Sequence, residues 1–147
     1  MQPVSRSTQT AYKWGEGGVG WPLVDTDGLF VVEETMAPGC SEKRHHHNKA
    51  TQCFYILEGT ALMKIDGQNI VLVQGMALHI QPGTDHAIAN ESSNEIRFLV
   101  ISAPSTRSDR HEIGVKKWYS QNPQLMLLLL VQGSLVFARH SNLLNVA

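Results

Sequence analysis

The chain is 147 residues long, enough to enclose one hydrophobic core and too short for two substantial domains with separate functions. Twelve Lys and Arg against thirteen Asp and Glu leave a formal charge of -1, so nothing draws the chain in general to a phosphate backbone or an anionic lipid surface. Nucleic acid and membrane are poor partners on these grounds, and a small-molecule substrate is the expected one.

Residues Met1 to Thr10 are polar and lack the basic-then-apolar pattern of a secretory leader, and no apolar stretch reaches the length of a bilayer span. A cytoplasmic location is the expectation. Cys40 and Cys53 are too few for a disulfide scaffold and are read as small apolar side chains. A glycine-rich lead-in follows, Trp14 to Trp21, whose two tryptophans are placed to cover one end or edge of whatever comes after.

From Leu29 to Ser102 the sequence runs in short segments rich in Val, Ile, Phe and Tyr, each ended by Gly, Pro, Asp or Asn. The predicted strands are Leu29 to Met36, Lys43 to His47, Gln52 to Leu57, Ala61 to Ile65, Asn69 to Val73, Ala77 to Ile80, His86 to Asn90 and Ile96 to Ser102. Asp66-Gly67, between two alternating segments, is the strongest hairpin signal, and Gly39, Gly59, Gly75 and Gly83 mark other turns. Strands at this spacing predict an all-β closed barrel or jelly roll. A polar connector, Ala103 to Arg110, leads to a tail containing the apolar run Leu125 to Val131, read as a docked helix starting near Pro123 or as a strand pair. An apolar tail on a small barrel packs well against a second copy, so a homodimer is expected.

Alternate residues of a strand share a face, so His45 and His47 project to one side and His46 to the other. A bend at Asn48-Lys49-Ala50 would bring Gln52 back to the inner face, with Phe54 and Ile56 behind it. His86 opens a strand of its own, and if that strand lies beside the His45 segment, three imidazoles converge. Neutral imidazoles suit zinc, iron, nickel, copper or manganese in varying degree, so this pattern points to one divalent transition metal without naming it.

Gly39, His45, His47, Gln52 and Gly59 resemble the first motif of the cupin superfamily, and Gly75, Gln81-Pro82-Gly83, His86 and Asn90 resemble the second, with the short spacing of small single-domain microbial cupins. The resemblance covers about residues 14–113 of a chain read as one cupin domain, 1–147, with a C-terminal extension from 114 to 147. It implies a double-stranded β-helix with a metal inside the barrel on His45, His47, Gln52 and His86. Two positions depart from the family pattern: Gln52 stands where Glu is usual, and Gln81 where Pro is usual.

A neutral amide in place of a carboxylate leaves a bound ion more of its charge, which favours Lewis-acid work on a substrate's oxygens. The expected function is therefore a metal-dependent enzyme of isomerase, lyase or cyclase type acting on a small oxygen-bearing metabolite. Two alternatives stand beside it, an iron-dependent dioxygenase and a non-catalytic small-molecule binding cupin. Other residues carry weaker expectations. His79 is a weak candidate for an acid or base, Asn90 for a backbone contact near the site, and Phe30, Met36, Phe54, Met63 and Phe98 for either pocket lining or plain core.

Overall fold

The computed structural model describes residues 1–114, and within that span every regular element is a strand. In chain order they are β1 (Tyr12–Trp14), β2 (Gly18–Asp25), β3 (Phe30–Met36), β4 (His45–His47), β5 (Thr51–Glu58), β6 (Thr60–Ile65), β7 (Gln68–Val73), β8 (Ala77–Ile80), β9 (His86–Ala89), β10 (Ile96–Ala103) and β11 (Arg110–Glu112). All eight predicted strands are present, with ends moved by no more than two residues. The tail beyond residue 114, with the run Leu125 to Val131 and the second copy expected to cover it, lies outside the described residues. No helix among the described residues is long and apolar enough to cross a membrane.

Two antiparallel sheets form, one in the order β1-β2-β3-β10-β5-β8 and the other β11-β4-β9-β6-β7. Alternation decides what each strand buries. On β10 the residues Ile96, Phe98, Val100 and Ser102 point inward, and on β5 Gln52, Phe54 and Ile56 do so. Side chains from both sheets merge into one core, with Val32, Met36, Ile56 and Phe98 from the first meeting Met63, Leu72 and Ile88 from the second. Each fully buried side chain of this size contributes about 1.5–3 kcal/mol.

The Asp66-Gly67 pair behaves as its sequence predicts. Both residues have positive φ, 46° and 84°, which gives the two-residue turn whose twist matches the flanking strands β6 and β7.

The glycine-rich lead-in is more than a cover. It is the hairpin β1–β2, which extends the first sheet beyond β3. Gly18 and Gly20 lie opposite Trp14 and Tyr12, and a Cβ at either position would sit 2.5 Å from the Trp14 ring or 2.6 Å from the Tyr12 ring. The two glycines are thus slots through which the β1 aromatics fold across β2. Trp14 uses its slot to pack edge-on against Phe98, centroids 6.4 Å apart. Apolar periodicity does not mark this hairpin, because its glycines leave no alternation along the strand. The polar connector is also partly strand, since β11 pairs with β4.

Candidate metal centre

Strand β4 is three residues long, and its pairing decides the site. His45 lies directly opposite His86 of β9, so both imidazoles face inward, and strand alternation puts His47 on the same face. One ring nitrogen from each of His45, His47 and His86 lies within 4.8 Å of the others, and the residues are only 2%, 4% and 1% exposed. The sequence-predicted imidazoles therefore converge.

In each ring Nδ1 is committed to a backbone carbonyl: His45 to Lys43 at 3.0 Å, His47 to Asp109 at 3.0 Å and His86 to Thr84 at 2.8 Å. Donation from Nδ1 fixes the tautomer that leaves Nε2 with a free lone pair. Burial, then the Arg110 guanidinium, pushes the His45 imidazole down to about 3; burial, then His45, pushes His86 down to about 4; burial also lowers His47. At neutral pH all three are bases without protons to displace. The 3.8 Å approach of Glu42 to His45 Nδ1 is accordingly no ion pair, because that imidazole stays uncharged and its Nδ1 already serves Lys43.

Gln52 joins them on the inner face of β5, 5% exposed. Its Nε2 donates to Ser102 Oγ at 3.2 Å, which leaves Oε1 turned away from that partner. Oε1 of Gln52 and Nε2 of His86 are both buried without a hydrogen-bond partner among the described residues. Such orphaned acceptors are costly in a folded interior. A divalent cation would satisfy both, so this donor set fits a metal ion.

The bend expected at Asn48-Lys49-Ala50 exists, and its cause is a residue the sequence did not flag. Asp109 accepts N–H bonds from Asn48 at 3.1 Å, Lys49 at 2.8 Å and Ala50 at 2.9 Å, while its own carbonyl takes the His47 Nδ1 proton. Desolvation pushes the Asp109 carboxyl up, but the bonds from Ala50, Lys49 and Asn48 outweigh it and hold the group below its usual range. One residue thus sets both, the ring of His47 through its backbone carbonyl and the turn that returns Gln52 inward through its carboxylate. No spacing rule reaches a contact made across some sixty residues of chain, which is why Asp109 was illegible.

Other expectations are corrected or refined. His79 stands exposed on the outer face of β8, its Nε2 2.6 Å from Thr51 Oγ1, and does not line the cavity described below, so it is no acid or base there. His46 faces outward as its parity requires, bonded to Asp85 at 3.1 Å and stacked on His111. Asn90 is fully buried, yet it braces a turn, donating to Met36 and Asn94 carbonyls and accepting from Ser92. Of the five apolar candidates, Phe30 and Phe54 line the cavity, and Met36, Met63 and Phe98 are core.

The cavity reached from this cluster holds about 850 Å³, ample for a metabolite-sized ligand. His45, His47 and Gln52 lie in its wall; Trp14, Phe30, Val32, Phe54 and Val100 make an apolar side; Tyr12, Glu34, Glu42, Lys43 and Arg110 make a polar one. Arg110 is held by Glu42 Oε1 at 2.8 Å.

The family model described as the cupin domain matches residues 32–102. The beta-alanine degradation protein BauB of Pseudomonas aeruginosa is 30% identical over 78 residues, 52% of this chain and 82% of BauB. The chain belongs to the cupin family. This cupin is also 39% identical over 69 residues to quercetin 2,3-dioxygenase of Bacillus subtilis, which amounts to 46% of the chain but 20% of that enzyme. It spans about half to two thirds of the length of several other curated relatives. Among solved structures, the polyketide cyclase RemF of Streptomyces resistomycificus superposes with a TM-score of 0.69 at 20% identity, covering 83% of this chain and 93% of RemF. At that identity the likeness concerns the fold, a double-stranded β-helix, and not the reaction.

Proposed function

We propose that this cupin is an enzyme that binds one divalent transition metal on His45, His47, His86 and Gln52 and uses it on a small oxygen-bearing metabolite, in an isomerase, lyase or cyclase type of reaction. The observation that carries the reading is the donor set: three uncharged imidazoles whose Nδ1 atoms are all engaged by backbone carbonyls and a neutral amide whose Oε1 is buried and, among the described residues, unpartnered. An ion held by neutral donors keeps its charge and supplies a Lewis acid for a carbonyl, enol or carboxylate oxygen.

The chain's own residues supply the rest. Phe30, Phe54 and Val100 offer an apolar surface for the body of the substrate and exclude water around it. Arg110, anchored by Glu42, offers a cation to a substrate carboxylate or enolate. Asp109 holds the His47 ring and the Gln52 turn in place, so substrate enters a preformed site.

A second reading, an iron-dependent dioxygenase, is favoured by the 39% identity to quercetin 2,3-dioxygenase. One experiment separates the two: metal analysis of protein purified without an affinity tag, then dioxygen uptake after anaerobic iron(II) loading, with enols, catechols and 2-oxo acids supplied. Bound metal with substrate turnover and no uptake is the expected result. Substrate-dependent uptake replaces the first reading by the second, and protein that takes up no metal under any loading ends both.

A further inference from the structure

One side chain in the cavity has no structural reason to be there. The inward positions of β3 read Phe30, Val32, Glu34 and Met36, a carboxyl in an otherwise apolar series on the most central part of the first sheet. Its neighbour Glu33 points outward and pairs with Arg97 at 3.2 Å, so the strand carries its structural ion pair on the other face. Among the described residues no cation stands within ion-pair distance of Glu34, although the Arg110 guanidinium faces it. Its cross-strand partners are Gly20 on β2 and Phe98 on β10, neither of which titrates. The polar contact it makes is with the Tyr12 hydroxyl, which donates to Oε1 at 3.2 Å.

The fold goes to some length to make that contact. Tyr12 belongs to β1, two strands from Glu34, and reaches it only because Gly20 leaves the intervening strand bare. A Cβ at Gly20 would stand 2.8 Å from the Tyr12 hydroxyl oxygen. Both side chains line the cavity that holds His45, His47 and Gln52.

We propose that Glu34 is a catalytic acid–base residue of this cavity and Tyr12 its positioning residue; the proposal rests on the reading of the cavity as a metal-assisted isomerase-type site. The step is a proton relocation without change of oxidation state. The carboxyl O–H bond breaks and its proton goes to a carbon of an enol-type substrate, where the C=C π electrons form the new C–H bond; the enol O–H bond breaks, its electrons turn the C–O bond into C=O, and its proton passes to the carboxylate. Glu34 ends as it began. Tyr12 donates to the carboxylate while it carries charge.

The electrostatics agree with this role. Desolvation, then the charge of Glu42, raises the Glu34 carboxyl to about 8, against smaller lowering effects of the Tyr12 hydroxyl and Arg110. A carboxyl of that kind is protonated at neutral pH and still able to part with its proton. The groups facing it are Tyr12 from β1, Glu42 from the segment before β4 and Arg110 from β11.

The test uses the full chain loaded with zinc(II) and, as probe, the enol form of phenylpyruvate, whose ultraviolet absorbance disappears on ketonisation. Wild-type protein should speed that decay, the rate falling above about pH 8, and Glu34→Gln should lose roughly 100-fold or more of it while binding zinc as tightly as wild type. Tyr12→Phe should move the alkaline limb to higher pH, since it removes a donor that favours the charged carboxylate. Independently of turnover, carbon NMR of protein labelled at the glutamate carboxyls should show a resonance titrating near 8 that is missing from Glu34→Gln. Equal rates for wild type and Glu34→Gln, including no acceleration by either, overturn the proposal. A midpoint in the ordinary carboxylate range, or loss of zinc from Glu34→Gln, overturns it as well. Failure of the metal reading shows itself elsewhere: His47→Ala that still binds zinc refutes that reading whatever Glu34 does.

Discussion

Strand β5 changes character between Gln52 and Ile56: Gln52 has a buried amide oxygen that is unpartnered among the described residues, Phe54 stacks on Phe98 and meets His86 edge-on, and Ile56 is wholly buried in core. Strand β9 does the same from His86 to Ile88, and β10 from Ser102 to Phe98. The barrel thus has a polar end, where inward positions carry donors, and an apolar end, where the same parity carries packing. The two ends share strands and backbone bonds yet differ in what holds them. The apolar end is stabilised by excluded water and close contact. The polar end is held in shape by hydrogen bonds to the carbonyls of Lys43, Thr84 and Asp109 and to the Ser102 hydroxyl, which engage Nδ1 of each imidazole and Nε2 of Gln52 and leave the opposite atoms to the cavity.

That contrast can be broken from either side. At the polar end, His47→Ala or His86→Ala should cost the protein nearly all of its metal while it still folds, read by metal analysis and by circular dichroism. His46→Ala, one residue away on the outer face and partnered by Asp85, should leave metal content close to wild type. Full metal in both inner variants would sink the ligand assignment. At the apolar end, Phe98→Ala should do the reverse. Phe98 is 0% exposed and meets the rings of Trp14 and Phe54, so its loss should lower unfolding free energy by about 3–5 kcal/mol in denaturant titrations. Zinc affinity of the surviving folded fraction should change little. Equal losses of metal in Phe98→Ala and His86→Ala would mean the two ends are one cooperative unit.

The apolar end was the more legible of the two. Alternation of Val, Ile and Phe with polar residues, and turn residues such as Asp66-Gly67, place strands and their inner faces without further information. The histidines of the polar end were legible too, because His45 and His47 carry their parity with them. What supports those histidines was not. Asp109 acts on His47 and on residues 48–50 from a segment that reads as a polar connector, and Ser102 orients Gln52 from the far end of a core strand. The β1–β2 hairpin failed to register because its meaning lies in Gly18 and Gly20, whose missing side chains are the feature. Local periodicity reports which way a residue points; it cannot report what crosses the space left by a residue that points nowhere. Glu34 lay between these cases, since the parity of Phe30, Val32 and Met36 places it inside, and only a polar residue at an inward position marks it out.

The smallest effect separates the ends by acidity. In the apoprotein the folded imidazoles of His45 and His86 titrate at about 3 and about 4, whereas in the unfolded chain they return to 6.5. Between 6.5 and those values the unfolded state binds protons that the folded state refuses, so unfolding free energy must fall as pH falls. Each imidazole contributes at most about 1.4 kcal/mol per pH unit. His86→Ala should remove one such contribution, giving a visibly flatter decline between pH 6.5 and 4.5 in denaturant midpoints of the metal-free protein. Phe98→Ala carries no proton and should instead shift the whole curve down in parallel. A slope that His86→Ala leaves untouched would show that His86 is not held neutral by burial, and with it the account of why the site keeps Nε2 free at neutral pH would fall.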